Sequence, residues 1–96
     1  MSCLHTINKT SVLHNMDTCI SVLGPEDAII FIEDGVYCCM DEDSVKQAVP
    51  GCKFYAQLED LQARGLVGKI RSDIESVNYD EFVQLCCTYE KVVSWF

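Results

Sequence analysis

The sequence predicts an α/β domain built on a mainly parallel sheet, and two observations favour this fold class. The first is residues 28–32, a run of five apolar residues that is too short to cross a membrane and is typical of a strand buried on both faces. Gly24-Pro25 before the run and Gly35 after it favour a strand over a buried helix. The second is the alternation of short strand-like and helical segments, which indicates βαβ units joined by right-handed crossovers.

The individual elements follow from local patterns. Strands are predicted at 3–7, 28–32, 52–56, 74–77 and 92–95. Helical segments are predicted from Asn15 or Asp17 to Leu23 and at 36–40 (helical or irregular), 45–49, 59–64 and 79–89. Asn78 is a typical N-cap for the last of these helices. That helix carries the clearest apolar stripe in the chain, at helical spacing: Phe82, Val83, Cys86 and Tyr89.

Length and charge exclude several classes of function. The 96 residues predict one domain, 1–96, and a hydrophobic fraction of 49% is enough for a core. The first residues lack the basic and long apolar regions of a signal peptide, so we expect a cytoplasmic protein. The net charge of −8, from 7 basic and 15 acidic residues, disfavours nucleic acids and anionic membranes as partners.

The seven cysteines do not form a recognisable framework. They are Cys3, Cys19, Cys38, Cys39, Cys52, Cys86 and Cys87. An odd number with two adjacent pairs fits no tidy set of disulfides, and the chain has no CxxC motif of the kind that binds zinc or performs redox chemistry. Free thiols that behave as small buried hydrophobes are therefore the default expectation, with no metal and no cofactor.

Catalytic motifs are absent, and the remaining candidates each have a structural alternative. Cys19 lies in the N-terminal half of a predicted helix, where the helix dipole could favour a thiolate, but the residues alone favour packing on the apolar face with Met16 and Leu23. Glu33 and Asp34 follow a strand and could hold a cation, although an aspartate before a glycine more often forms a turn. His5 is interpreted as a structural histidine, and the closing Trp95 as part of the core or of a subunit interface.

Several stretches together resemble one protein family. They are residues 4–9 (LHTINK), 33–37 (EDGVY) and 60–66 (DLQARGL), with Tyr79, Phe82-Val83 and Trp95 near the end. In this order and spacing they are similar to the TusB/DsrH family of sulfur-relay proteins. The resemblance covers nearly the whole chain, and the combination is more specific than any one motif.

The resemblance implies a fold and a role. The fold is a single three-layer α/β/α domain with a mainly parallel sheet of about five strands, as in DsrEFH. The role is that of an accessory subunit, not catalytic alone, in a TusBCD or DsrEFH hexamer with TusC/DsrF-like and TusD/DsrE-like partners. Such a complex receives persulfide sulfur from a TusA-type donor and passes it to a TusE/DsrC-type acceptor, for 2-thiolation of the tRNA wobble uridine or for sulfur oxidation.

The resemblance also singles out one thiol. The principal sulfur-carrying cysteine of these complexes belongs to the TusD or DsrE partner, but DsrH-like members carry a cysteine in the first helix, where Cys19 lies. Cys19 is therefore a candidate persulfide carrier. Two alternatives remain: a purely structural subunit with no sulfur-carrying cysteine, and a stand-alone thiol redox or metal-binding module. An isolated domain of this kind is also expected to self-associate.

Overall fold

The computed structural model describes residues 2–8, 24–40, 52–70 and 74–95 of the chain. The strands are β1 (Cys3–Ile7), β2 (Ala28–Phe31), β3 (Lys53–Gln57), β4 (Ile74–Val77) and β5 (Lys91–Trp95). The helices are a 3-10 helix (Glu33–Met40), α1 (Leu58–Ala63) and α2 (Tyr79–Thr88). The predicted α/β class is confirmed, and each predicted strand is present within two residues of its expected bounds.

All five strands are parallel and lie in the order β4-β3-β2-β1-β5. The chain steps one strand at a time from β1 to β4 and then returns across the whole sheet to place β5 beside β1. Because every strand runs the same way, all five carboxyl ends lie at one end of the sheet and all five amino ends at the other. These are called the carboxyl end and the amino end below.

Alternating side chains along the strands build a core on each face of the sheet. One face carries Ile7, Ile29, Phe31, Phe54 and Ile74, packed against Leu61 of α1, Val36 of the 3-10 helix and Leu66. The other face carries Leu4, Ala28, Ile30, Tyr55 and Val77, packed against one side of α2. The described helices therefore lie on both faces of the sheet, as a three-layer α/β/α domain requires.

Helix α2 begins as predicted, but the prediction that Val83 belongs to its apolar stripe is wrong. Asn78 Oδ1 accepts from the N–H of Glu81 at 2.9 Å, and Glu81 Oε1 accepts from the N–H of Asn78 at 3.1 Å, which completes a capping box. Phe82, Cys86 and Tyr89 pack on the core together with Leu85. Val83 is instead 44% exposed, because a step of one residue turns the side chain by about 100° around the helix.

Of the other predicted helical segments, one is a 3-10 helix and two lie outside the described residues. The predicted segment over 36–40 is the second part of the 3-10 helix. The predicted helices before Leu23 and over 45–49 lie outside the described residues. None of the helices in the described ranges is long and apolar enough to cross a membrane.

Candidate functional site

The carboxyl end is organised by Gly35, which lies directly against the end of β1. The N–H of Ile32 donates to the carbonyl of Ile7 at 2.9 Å, and the N–H of Gly35 donates to the carbonyl of Ile32 at 2.8 Å. A Cβ at position 35 would lie 2.0 Å from the carbonyl oxygen of Ile7. Only glycine leaves room for this approach, so the requirement at this turn is space and not an unusual φ angle.

Residue Glu33 turns the chain at the same end. Its φ of 50° lies in the left-handed region, where residues other than glycine are uncommon. Its N–H donates to Asp60 Oδ2 of α1 at 2.7 Å. The bond from α1 holds the strained residue in place and fixes the 3-10 helix against the helix that follows β3.

Asp34 and Arg64 join two of the family-like motifs, residues 33–37 and 60–66, in space. Arg64 donates through Nε at 3.0 Å and through Nη2 at 2.8 Å, both to Asp34 Oδ1. Arg64 Nη1 also donates to the carbonyl of Asp60 at 3.2 Å, in the last turn of α1. The bond with Asp34 raises the pKa of the Arg64 guanidinium. The positive group bound to Asp34, which was predicted to be able to hold a cation, is therefore the guanidinium of Arg64.

The amino end carries a buried carboxylate that the sequence interpretation did not single out. Asp27 is 8% exposed and lies just before β2. Its Oδ1 accepts from the N–H of Cys3 at 3.0 Å, and its Oδ2 accepts from the N–H of Gly24 at 2.9 Å. His5 Nε2 lies 3.7 Å from Asp27 Oδ2, and His5 is itself buried, in agreement with its interpretation as a structural histidine.

Two thiols flank this carboxylate on neighbouring strands. Cys3 opens β1, and Cys52 immediately precedes β3, where its Sγ donates to the carbonyl of Gly24 at 3.0 Å. The register places Asp27 between them, so two strand spacings, about 10 Å, separate the cysteines. This separation is too large for a disulfide, and both thiols are free.

Burial makes the partly buried thiols poor nucleophiles. It raises the pKa of Cys3 and of Cys52, and the negative charge of Asp27 raises both further. Burial also raises the pKa of Cys86 in α2. A thiol with a raised pKa is mostly protonated at neutral pH, whereas sulfur transfer needs a thiolate. Cys87, one residue further along α2, is exposed.

Three further cysteines considered in the sequence lie in other parts of the chain: Cys19, Cys38 and Cys39. Cys19, the candidate persulfide carrier, lies outside the described residues, so its role stays a prediction. Cys38 and Cys39 lie in the 3-10 helix. Within the described ranges, no three side chains of His, Cys, Asp or Glu are arranged to hold a metal ion.

A shallow groove lies between β4 and α2, on the face of the sheet that α2 covers. Its volume is about 220 Å³, and its lining residues are Tyr55, Glu75, Val77, Glu81, Gln84, Leu85 and Thr88. At its side, burial and the hydrogen bond with Tyr55 raise the pKa of Tyr89 to about 12. The groove is polar, and both of its carboxylates are exposed to solvent.

Comparisons with known proteins agree with the fold and the motifs. The family model described as "DsrH like protein" matches residues 10–92. Protein TusB of Escherichia coli O81 (strain ED1a) is 32% identical over 94 residues, which cover 96% of this chain and 99% of that protein. Protein TusB of Shigella dysenteriae serotype 1 (strain Sd197) is 31% identical over the same length.

A solved structure supports the fold independently. The solution NMR structure of protein Tm0979 from Thermotoga maritima matches with a TM-score of 0.68 over 92% of this chain and 93% of that one. The sequences are 24% identical, so this likeness concerns the fold. Fold and sequence together define a small parallel α/β protein of the DsrH-like class. The chain belongs to the TusB/DsrH family.

Proposed function

We propose that this chain is an accessory subunit of a cytoplasmic sulfur-relay complex, assembled with TusC/DsrF-like and TusD/DsrE-like chains. Family membership over residues 10–92 carries the proposal. The complex receives persulfide sulfur from a TusA-type donor and passes it to a TusE/DsrC-type acceptor. It serves either 2-thiolation of the tRNA wobble uridine or sulfur oxidation.

In this proposal, Cys19 accepts sulfur within the complex. Its thiolate attacks the terminal sulfur of the donor persulfide, which forms a new S–S bond on Cys19 and breaks the S–S bond of the donor. The donor cysteine leaves as a thiolate, so the step needs no external oxidant or reductant. The transfer requires a thiol with a low pKa that the donor can reach.

A second candidate function follows from the partial burial of Cys3, Cys52 and Cys86, which raises the pKa of each thiol and makes these three unsuited to accept sulfur. If Cys19 resembles these thiols, the chain is a structural subunit that completes the complex and carries no sulfur. Mass spectrometry of the intact protein separates the two functions after incubation with a persulfidated TusA-type carrier. Wild type, Cys19→Ser and the exposed-thiol control Cys87→Ser are each measured alone and co-expressed with TusC- and TusD-like chains.

The proposal with Cys19 as carrier predicts one added sulfur atom on wild type and on Cys87→Ser, and none on Cys19→Ser. Sulfur that appears on the TusD-like chain alone, in an intact complex, supports the structural subunit. Failure to form any complex with these chains, together with no added sulfur, contradicts both candidate functions. A stand-alone redox or metal-binding module would instead show a reversible disulfide or stoichiometric metal in the purified protein.

A further inference from the structure

The two edge strands of the sheet differ in how well they are protected from pairing. A sheet edge exposes unpaired backbone N–H and C=O groups, and proteins usually protect it with short strands and charged side chains. Strand β4 is four residues long and carries an exposed charge, Glu75. Strand β5 is five residues long and carries its exposed charge, Lys91, at its first position, whereas two of its central residues are exposed valines, Val92 at 45% and Val93 at 39%.

The backbone of β5 shows which groups are free for a partner strand. The N–H of Lys91 donates to the carbonyl of Ser2, on the side of β1. In an extended strand, successive residues direct their N–H and C=O groups to opposite sides. Val93 therefore faces β1 like Lys91, and Val92 and Ser94 direct their backbone groups to the outer edge, where the described residues include no further strand.

We propose that the outer edge of β5 pairs with the same edge of a second copy of this chain, antiparallel across a two-fold axis at Val93. In this register Val92 lies opposite Ser94 of the second copy, and each such pair exchanges both N–H···O bonds. The dimer gains about four backbone hydrogen bonds and a sheet that continues through both copies. Val93 faces its own counterpart in a non-hydrogen-bonded pair, where opposing side chains lie closest.

Charge favours a second copy at the edge of β5 over one at the edge of β4. Each chain has a net charge of −8, so two copies repel each other wherever acidic residues meet. The charged residue of β5 is Lys91 at its first position, and the two-fold axis places the two copies of Lys91 at opposite ends of the paired strands. By contrast, pairing through β4 would bring together two copies of Glu75, which lines the groove beside α2 together with Glu81.

The full-length chain alone tests this inference, so the result does not depend on the proposed sulfur relay. We expect sedimentation equilibrium to give a mass that rises with concentration from 10.8 kDa towards twice that value. Val93→Lys places two positive charges face to face at the axis and is expected to weaken dimerisation at least tenfold. Ser76→Lys, an exposed position on β4, is the matched control and is expected to leave dimerisation unchanged.

A second variant and a second measurement cover a loss of folding in Val93→Lys. Val92→Pro removes an outward N–H but no bond to β1, since proline is tolerated at a strand edge whose N–H faces solvent. It is expected to be folded and monomeric. Hydrogen exchange of wild type should show protection of the Val92 and Ser94 amides that increases with protein concentration. A wild type that stays monomeric at several hundred micromolar, or a dimer that both variants preserve, overturns the inference.

Discussion

The two ends of the sheet use carboxylates in opposite ways. At the carboxyl end, Asp34 is exposed and pairs with Arg64 over the surface, and the tight packing depends on the backbone of Gly35. At the amino end, Asp27 is buried, and its two oxygens accept backbone N–H groups from Cys3 and Gly24. A buried carboxylate that accepts hydrogen bonds from two backbone N–H groups is expected to contribute more to stability than one in a solvated ion pair.

Two of the family-like motifs, residues 33–37 and 60–66, lie at the carboxyl end, whereas the buried carboxylate at the amino end lies in none of the motifs. Residues 33–37 supply Gly35, which lets the chain pass the end of β1, and residues 60–66 supply Asp60 and Arg64, which hold this turn. Both motifs therefore fix the position of the 3-10 helix, which begins at the carboxyl end of the sheet. Asp27 belongs to neither motif, although its contacts link the starts of β1 and β2.

The largest effect is expected from Gly35→Ala at the carboxyl end. The new Cβ would lie 2.0 Å from the carbonyl oxygen of Ile7 and 2.7 Å from its carbonyl carbon, and neither backbone atom can move without displacing β1. We expect a loss of about 3 kcal/mol or more in the free energy of unfolding, at or beyond the upper end for overpacking. Urea denaturation followed by circular dichroism measures the loss.

Gly24→Ala is the matched control for that substitution. A Cβ at position 24 meets its nearest atom, Asp27 Oδ2, at 3.8 Å, which is an ordinary van der Waals contact. Its stability is expected to stay within about 0.5 kcal/mol of wild type. Equal losses in the two variants would contradict the role assigned to the space at Gly35.

Asp27→Asn is expected to have the next largest effect. The substitution keeps the shape of the side chain but removes its charge, and one of its two acceptor oxygens becomes an N–H₂ donor that faces a backbone N–H. Hydrogen bonds to buried charged groups contribute about 1.5–3 kcal/mol each, so we expect a loss of about 2 kcal/mol in urea denaturation. This loss should change little between low and high salt, since the group is buried.

Asp34→Asn provides the comparison at the other end of the sheet. Asp34 is 65% exposed, so water screens its pair with Arg64, and the loss should be smaller than for Asp27→Asn and should diminish in high salt. A larger loss for Asp34→Asn than for Asp27→Asn would reverse the comparison between the two ends.

Much of the fold could be predicted because it depends on local patterns. Strand β4 has its predicted bounds, and Asn78 caps α2, since each signal lies within a few residues. The amino end could not be predicted in the same way. Gly24-Pro25 indicates a turn, but the burial of Asp27 depends on the strands that carry Cys3 and Cys52 on either side, and these lie about 25 residues away in sequence.

The same reasoning explains the contacts that were missed at the carboxyl end. The pair between Asp34 and Arg64 joins residues 30 positions apart, and no periodicity connects them. The sequence interpretation placed Arg64 correctly near the end of α1, and it explained Asp34 as a turn residue, whereas Asp34 lies in the first turn of the 3-10 helix; each received a local explanation. The parallel order of β2 and β3 brings the two segments that follow these strands to the same end of the sheet.

The smallest expected effect concerns the thiols at the amino end. Burial and the charge of Asp27 both raise the pKa of Cys3 and Cys52, whereas burial and Cys87 raise that of Cys86. Asp27→Asn should therefore lower the pKa of Cys3 and Cys52 towards the ordinary 9.0 and leave that of Cys86 unchanged. The pH dependence of iodoacetamide labelling, followed by peptide mapping, measures each thiol separately.

The sign of the accompanying stability change follows from linkage. A pKa above 9.0 in the folded chain means that the folded state binds the thiol proton more tightly than the unfolded state. Cys3 and Cys52 thus favour the folded state fully below pH 9, and this contribution is lost as the pH rises through their folded-state pKa. Asp27→Asn should make this alkaline loss smaller. If labelling of all three thiols changes together, the substitution has loosened the fold, and Asp27 has no specific electrostatic effect on its two neighbours.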